Sequence, residues 1–296
     1  MVNSRRAFFI KATSHDHRKL SMSRMANVAV IQGSSRGIGL SLTRHLLKHT
    51  NLVVVATSRT PSEGRAQVLE NLGDAPTLGK RLHNLELDVQ HEESIAQAAE
   101  YVSKHFGKNL RLLINVSGVL LPEKFILKIN KEEMQKTFEI NTFGHLLTYK
   151  HFVPLLPPKA DSKSTGDQDP AMGLVNPEVN VLASMSARVG SIGDNSLGGW
   201  YSYRASKSAV NQIVVTLQRE LAARSSISPT VTVALHPGTV AGTQLSHAFI
   251  PKHQAGSKPG VHDPDAAARS LLDVIAKLGP ADGAQFLDYK GESVVW

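Results

Sequence analysis

Tyr203 and Lys207 stand four residues apart in Gly199-Trp200-Tyr201-Ser202-Tyr203-Arg204-Ala205-Ser206-Lys207, so a helix through this run puts phenol and ammonium on one face. A phenol has a reference pKa of about 10 and becomes a useful acid/base near neutrality only when a fixed cation favours its phenolate. Lys207, one turn away, can supply that charge. The spacing by itself also describes an ordinary solvated helix face, so its meaning depends on what surrounds it. Tyr201 is the competing phenol; it has Ala205 at i+4 and falls on a different face from Lys207, which suits packing or pocket lining.

A second group of residues suits phosphate. Gly33-Ser34-Ser35-Arg36-Gly37-Ile38-Gly39 follows the apolar run Val28-Ala29-Val30-Ile31 and opens a helix-like pattern, where exposed N–H groups and the positive helix end attract anions. The three glycines permit a tight turn, close approach of backbone to a pyrophosphate, and close packing of helix on strand. At the end of the second strand, where an acid would bind a ribose hydroxyl, Ala56-Thr57-Ser58-Arg59-Thr60 offers none. Arg59 and Arg36 suit a 2'-phosphate instead, which favours NADP(H) over NAD(H); the plain alternative is two solvent-facing arginines.

These groups need elements to hold them. Strands are predicted at Val28–Ile31, Leu52–Ala56, Leu85–Leu87, Leu112–Asn115, Val179–Ala183, Thr230–Leu235 and Gln285–Leu287. Helices are predicted at 38–49, 92–105, 131–153, 201–223 and 264–278, the fourth carrying the stripe Val210, Ile213, Val214, Leu217 and Leu221. Strands alternating with helices imply an α/β fold: one Rossmann domain with a doubly wound, seven-stranded parallel sheet and helices on both faces. Residues 157–178 read as a surface insertion. Residues 242–263 mix turn signals with Phe249 and Ile250 and can close over a substrate; with Trp200 these are candidate lining residues for an apolar ligand.

Composition narrows the classes. At 296 residues and 41% hydrophobic content the chain can bury a large core, and with no cysteine it has neither disulfides nor thiolate chemistry. The 13 histidines are scattered, and His45/His49 lacks an acidic partner of zinc-enzyme type, so no metal is expected. The net charge of +8 is spread without aromatic interleaving, which suits an anionic cofactor better than nucleic acid. Residues 1–25 form a basic tail, with Arg5, Arg6, Lys11, Arg18, Lys19 and Arg24 against Asp16, ahead of the Rossmann domain over 26–296. A cytoplasmic protein is expected, or a mitochondrial one if that tail is a transit peptide. No run approaches the ~18 apolar residues of a membrane helix.

The aligned motifs resemble those of the short-chain dehydrogenase/reductase family over roughly residues 26–296. The family glycine motif is matched at Gly33, Gly37 and Gly39, with Gln32 where threonine is common. The resemblance places Asp88-Val89 beside the adenine and aligns Asn115-Val116-Ser117-Gly118 with the family's Asn-Asn-Ala-Gly, two positions differing. It aligns Asn141-Thr142-Phe143-Gly144 with Asn-x-x-Gly and Pro237-Gly238-Thr239-Val240 with the segment after the sixth strand. For the catalytic serine the chain offers Ser184 and Ser186; Ser186 is preferred, Ser184 lying two strand positions deeper, although this loop then holds one residue more than in many relatives before Gly190. The wording around these serines and Tyr203 is most similar to C-factor and sniffer-type carbonyl reductases.

The resemblance implies reversible hydride transfer between nicotinamide and a carbonyl or alcohol substrate. Tyr203 would protonate the alkoxide, Ser186 would hold its oxygen, Lys207 would depress the Tyr203 pKa and hold the nicotinamide ribose, and Asn141 would position a water behind Lys207. The cofactor shell implied is Gly33, Ser35, Arg36, Gly37, Ile38, Gly39, Arg59, Asp88, Val89, Asn115, Ser117, Gly118, Tyr203, Lys207, Pro237, Gly238, Thr239 and Val240. A homodimer or homotetramer paired through the long helices is expected, with a small-molecule substrate and neither nucleic acid nor membrane as partner. The alternative is a catalytically silent NADP(H)-binding scaffold or regulatory protein on the same fold.

Overall fold

The computed structural model describes residues 26–70, 72–159, 169–246 and 250–296. The basic tail 1–25 and Phe249 lie outside them. Seven strands form one parallel sheet: β1 (Val28–Gln32), β2 (Val53–Ser58), β3 (Leu82–Glu86), β4 (Leu110–Asn115), β5 (Asn180–Met185), β6 (Thr230–His236) and, outermost, β9 (Gln285–Asp288). Their order, β3-β2-β1-β4-β5-β6-β9, reverses direction between β1 and β4. Crossovers that leave β1 on opposite sides open a crevice at the strands' C-terminal ends, the usual ligand site of such sheets.

Every residue of β1, β2 and β5 is buried, as uninterrupted apolar runs covered on both faces require. One face packs against α1 (Gly37–His49) and α8 (Pro264–Ala276), through Leu42, Leu46, Leu271 and Leu272. The other packs against α4 (Glu92–Phe106), α6 (Gly144–Phe152) and α7 (Tyr201–Ala222), through Ile95, Phe152 and Leu221. Two helices that the apolar pattern did not announce, α2 (Pro61–Leu69) and the single turn α3 (Ala75–Leu78), link β2 to β3.

Three expectations are corrected. The third strand runs over Leu82–Glu86, not 85–87, because this half-buried edge strand lacks a continuous apolar run; Leu87, which carried part of the signal, lies beyond its end. The helix expected over 131–153 is broken: α5 (Lys131–Phe138) and α6 flank a wide π turn, Glu139–Phe143, in which Gly144 N–H donates to the Glu139 carbonyl. Of the surface insertion expected at 157–178, residues 160–168 lie outside the described residues, and the described remainder is not all at the surface. Asp169 caps Ala171 and Gly173, and Ala171 and Val175 are buried in the main core.

The segment after β6 is held by a feature too short to read in sequence. Thr239–Val240 (β7) pairs in parallel with Val261–His262 (β8), which brings Gly242, Ser246 and Ile250, from the segment between them, to the cleft.

Candidate active site

A cleft of about 850 Å³ opens along the C-terminal ends of the strands. Gly33, Ser35, Arg36, Gly37 and Ile38 line it at one end, with Arg59, Asp88 and Val89. Ser117, Gly118, Ser186, Tyr203, Lys207 and Pro237–Val240 line it further on. Residues scattered over two hundred positions are thus brought to one surface.

The glycine end is built by backbone. Gly33 has φ +87° and Gly37 φ +55°, and a Cβ on Gly39 would stand 2.0 Å from the Gly33 carbonyl oxygen. The turn and the first turn of α1 therefore pack backbone on backbone, which only glycine allows. Arg36 caps α1 without a side-chain hydrogen bond, and no acid occupies the first helical turn. The N-terminal N–H groups thus have neither a side-chain acceptor nor a neighbouring carboxylate, as an anion site requires. Gln32, where threonine is common in the family, ties this turn to the next strand: its amide nitrogen donates to Ser117 Oγ, and Ser117 N–H donates to Gln32 Oε1 (3.2 Å).

Beside this end, Ser35, Arg36, Arg59, Thr60, Glu63 and Gln67 enclose a side pocket of about 160 Å³. Both arginines singled out in the sequence reach it. Glu63 does too, an acid missed because it enters from α2 rather than from the strand end.

At the other end, Tyr203, Lys207 and Asn211 form one buried stripe of α7, at i, i+4 and i+8. Lys207 Nζ donates to the Met185 carbonyl (2.7 Å) and lies 5.8 Å from the centre of the Tyr203 ring. Burial pushes the Lys207 ammonium down to about 7 and pushes the Tyr203 phenol above its ordinary range. The shift on the phenol comes from burial, and the lysine's hydrogen bond goes to β5 rather than to the tyrosine.

Ser186 lies at the cleft wall and its hydroxyl donates to Asn211 Oδ1 (2.6 Å). Asn211 was not singled out in the sequence, although its i+4 spacing from Lys207 was a usable signal. Ser184 lies inside: wholly buried, it bonds Tyr149 (2.8 Å), His145 Nδ1 (3.1 Å) and Asn115 Nδ2 (3.5 Å). Gly190 lets the serine loop lie against the helix, since a Cβ there would stand 2.7 Å from Lys207 Cβ.

Three candidate residues sit beneath the cleft surface. Gly39 is packed as described, and Asn115 Nδ2 donates to the His145 carbonyl (3.4 Å). Asn141 is wholly buried; its amide accepts from Val119 N–H (2.8 Å) and donates to the Val119 carbonyl (2.9 Å) and Ser206 Oγ (3.1 Å). Its side chain is thereby committed to holding the strand-end loop. A Cβ at Gly118 would stand 3.5 Å from Asn141 Oδ1 and 3.6 Å from Lys207 Nζ, so this glycine keeps the space between them open.

Trp200 and Ile250 line the cleft, whereas Tyr201 is 41% exposed and does not. Trp200 enters α7 with φ +51°, and its N–H donates to the Glu123 carbonyl (2.7 Å). Glu123, buried, also accepts from Ser202 Oγ; nothing in the local sequence pattern pointed to it.

The short chain dehydrogenase family matches residues 27–167. The chain is 28% identical to the 1-hydroxy-2-glutathionyl-2-methyl-3-butene dehydrogenase of Rhodococcus sp. over 277 residues, 92% of this chain and 100% of that protein. The NADPH-bound carbonyl reductase from chicken fatty liver superposes with a TM-score of 0.73 at 28% identity, covering 92% of this chain and all of that one. The carbonyl reductase sniffer of Drosophila melanogaster superposes with a TM-score of 0.71 at 25% identity, with the same coverage. In its motifs, its fold and these matches the chain is similar to the short-chain dehydrogenase/reductase family. Its curated relatives include oxidoreductases, and its structural neighbours include carbonyl reductases, one of them sniffer. Among the described residues, no helix is long and apolar enough to cross a membrane.

Proposed function

We propose that this protein is an NADP(H)-dependent reductase that transfers a hydride between nicotinamide and a carbonyl or alcohol carbon, with Tyr203 as general acid/base. The observation that carries this reading is the single cleft that joins the uncapped glycine turn to Tyr203, Lys207 and Ser186. The residues fit a dinucleotide: glycine backbone for the pyrophosphate, Arg36 and Arg59 for a 2'-phosphate, and Pro237–Val240 with Lys207 for the nicotinamide end. The NADPH bound by the chicken enzyme supports the same choice.

A bound nicotinamide supplies the hydride. Tyr203 holds the proton that the developing alkoxide takes, and its burial keeps the phenol protonated before reduction. Ser186 donates to the same oxygen once the Asn211 amide turns to present Nδ2–H to it, which frees the hydroxyl proton for the substrate. Lys207 lies near its titration midpoint, so an anion in the cleft favours its charged form, and that charge in turn favours the Tyr203 phenolate left after proton transfer. The π turn around Asn141 is bonded to Ser206, the residue before Lys207, and leaves backbone carbonyls out of regular register, a suitable anchor for the water that resupplies the proton.

The domain assignment over 26–296 and pairing between copies belong to the same proposal. Phe143 and Leu146, 51% and 46% exposed at the start of α6, supply an apolar face for a second copy. The decisive test is titration with NADPH and NADH, followed by reduced-cofactor oxidation across a carbonyl panel. Tighter NADPH binding with turnover is expected. Binding without turnover on any carbonyl would instead establish the silent scaffold.

A further inference from the structure

His236 ends β6 immediately before Pro237, and its ring lines the cleft. Backbone pairing brings it beside the serine loop: Ser186 N–H donates to the carbonyl of Leu235, the residue before His236. Its Nδ1 is covered from solvent without a hydrogen-bond partner among the described residues, which leaves Nε2 as the ring nitrogen through which this cleft-lining residue can meet a ligand. A neutral imidazole carries one proton. Placed on Nδ1, that proton would be a buried donor with nothing to bond; placed on Nε2, it faces a space where an acceptor can meet it. Burial, reinforced by the Arg188 charge, holds this histidine down to about 4, so it is neutral at physiological pH.

Its charged and titratable neighbours are Arg188, Asp288 and His262. Arg188 pairs with both Asp194 and Asp288, each at 3.3 Å, and Asp288 is almost wholly buried. That cation is thus already balanced by two carboxylates and does not call for an anionic ligand. Leu120, Leu121, Val189, Trp200 and Leu245 supply an apolar wall to the same cleft. The wall thus offers one neutral N–H donor near Ser186 and apolar surface around it.

We propose that His236 is a specificity-determining residue that donates Nε2–H to a second, neutral oxygen of the substrate, so that the preferred substrates are apolar vicinal dicarbonyls or hydroxyketones rather than simple ketones. This deepens the reductase reading above and rests on it. A ligand oxygen at Nε2 would orient the reacting carbonyl toward Ser186 and Tyr203, and a ketone without that oxygen would leave the donor unpaired.

The test compares an aryl alkyl vicinal diketone with the matched aryl alkyl monoketone on wild type, His236→Leu and His236→Gln. His236→Leu is expected to raise KM for the diketone roughly tenfold, the worth of one neutral hydrogen bond, with kcat and the monoketone parameters unchanged. His236→Gln, which keeps an N–H donor, is expected to recover most of the loss. Equal losses on both substrates, or no change on either, would overturn the proposal while leaving the reductase reading intact. Absence of wild-type turnover on either carbonyl would instead overturn the reductase reading, and this proposal with it. Long-range proton–nitrogen correlation spectra, assigned by difference with His236→Gln, give a second readout independent of turnover. They should show the Nε2–H tautomer, and an Nδ1–H tautomer would overturn the inference.

Discussion

At the glycine end of the cleft the chemistry is made by backbone, with Gly33 and Gly37 at the surface and Gly39 packed beneath them where a side chain would not fit. At the other end it is made by side chains, because Tyr203, Lys207 and Asn211 work only if one face of α7 lies against the serine loop. The two ends should therefore fail differently. A lesion in the backbone end costs folding and nucleotide affinity together, whereas a lesion in the side-chain end can remove turnover and leave both intact.

The largest expected effect breaks that comparison at its side-chain end. Tyr203→Phe keeps ring, volume and packing but removes the proton, so kcat should fall by about 10²–10⁴, the range of general acid catalysis. NADPH affinity and thermal midpoint should stay near wild type. Parallel loss of nucleotide binding would show instead that the phenol is part of the nucleotide cradle. Gly39→Ala is the opposite lesion. Its Cβ would stand 2.0 Å from a backbone oxygen that no rotamer change can move, so the turn must shift. We expect destabilisation of about 1–3 kcal/mol or more in urea unfolding, with NADPH affinity falling together with stability.

Between the ends, His145 links them: its Nε2–H donates to the Ser117 carbonyl (2.9 Å), and its Nδ1 accepts from the Ser184 hydroxyl (3.1 Å). Burial, and secondarily the Lys207 charge, pushes it down to about 3 from its ordinary value of 6.5. The unfolded chain therefore takes up a proton below about pH 6.5 that the folded protein refuses until about pH 3. Stability should fall as pH drops through that window, by about 1.4 kcal/mol per pH unit per group. His236, held down to about 4, adds to the slope over the upper part of the window. Denaturant unfolding between about pH 7 and pH 4 should show a shallower slope for His145→Gln than for wild type; an unchanged slope would mean that His145 titrates normally.

What the sequence disclosed divides along the same line. Strands β1, β2, β5 and β6 were legible because strands buried on both faces read as continuous apolar runs, and α7 was legible through its Val210-Val214-Leu221 stripe. The glycine turn was legible because its residue types are demanded by local geometry. Edge strand β3, the π turn and the two-residue β7–β8 ladder were not, since their formation is decided by tertiary neighbours rather than local pattern. The same holds for the site: Asn211 could have been found from its spacing, but Glu123, Glu63 and His236 gain their meaning from partners on other elements. Ser184 and Ser186 differ by one pleat in sequence, yet one is locked among His145, Tyr149 and Asn115 while the other stands at the cleft wall.

Smaller effects sharpen the backbone end. Arg36 and Arg59 both line the side pocket, and exchanging either for alanine should weaken NADPH roughly tenfold while moving NADH little, since one charge-assisted contact to a 2'-phosphate is lost. Equal weakening of both nucleotides would assign the arginines to the pyrophosphate instead.

The smallest expected effect concerns Glu63, which works against those arginines. Its carboxylate lines the same pocket and accepts from Thr60 Oγ1 (3.3 Å), so it stays near the place where a 2'-phosphate would sit. A like charge there costs affinity, but both groups are solvent-exposed, and water and salt screen them. Glu63→Gln keeps shape and hydrogen bonding while removing the charge, and should tighten NADPH only by about two- to fivefold, leaving NADH unchanged. The gain should be largest at low ionic strength and fade as salt rises. A salt-insensitive change would point to rearranged contacts, and weaker NADH binding in the variant would mean that Glu63 serves a ribose hydroxyl, so that this pocket accepts both nucleotides.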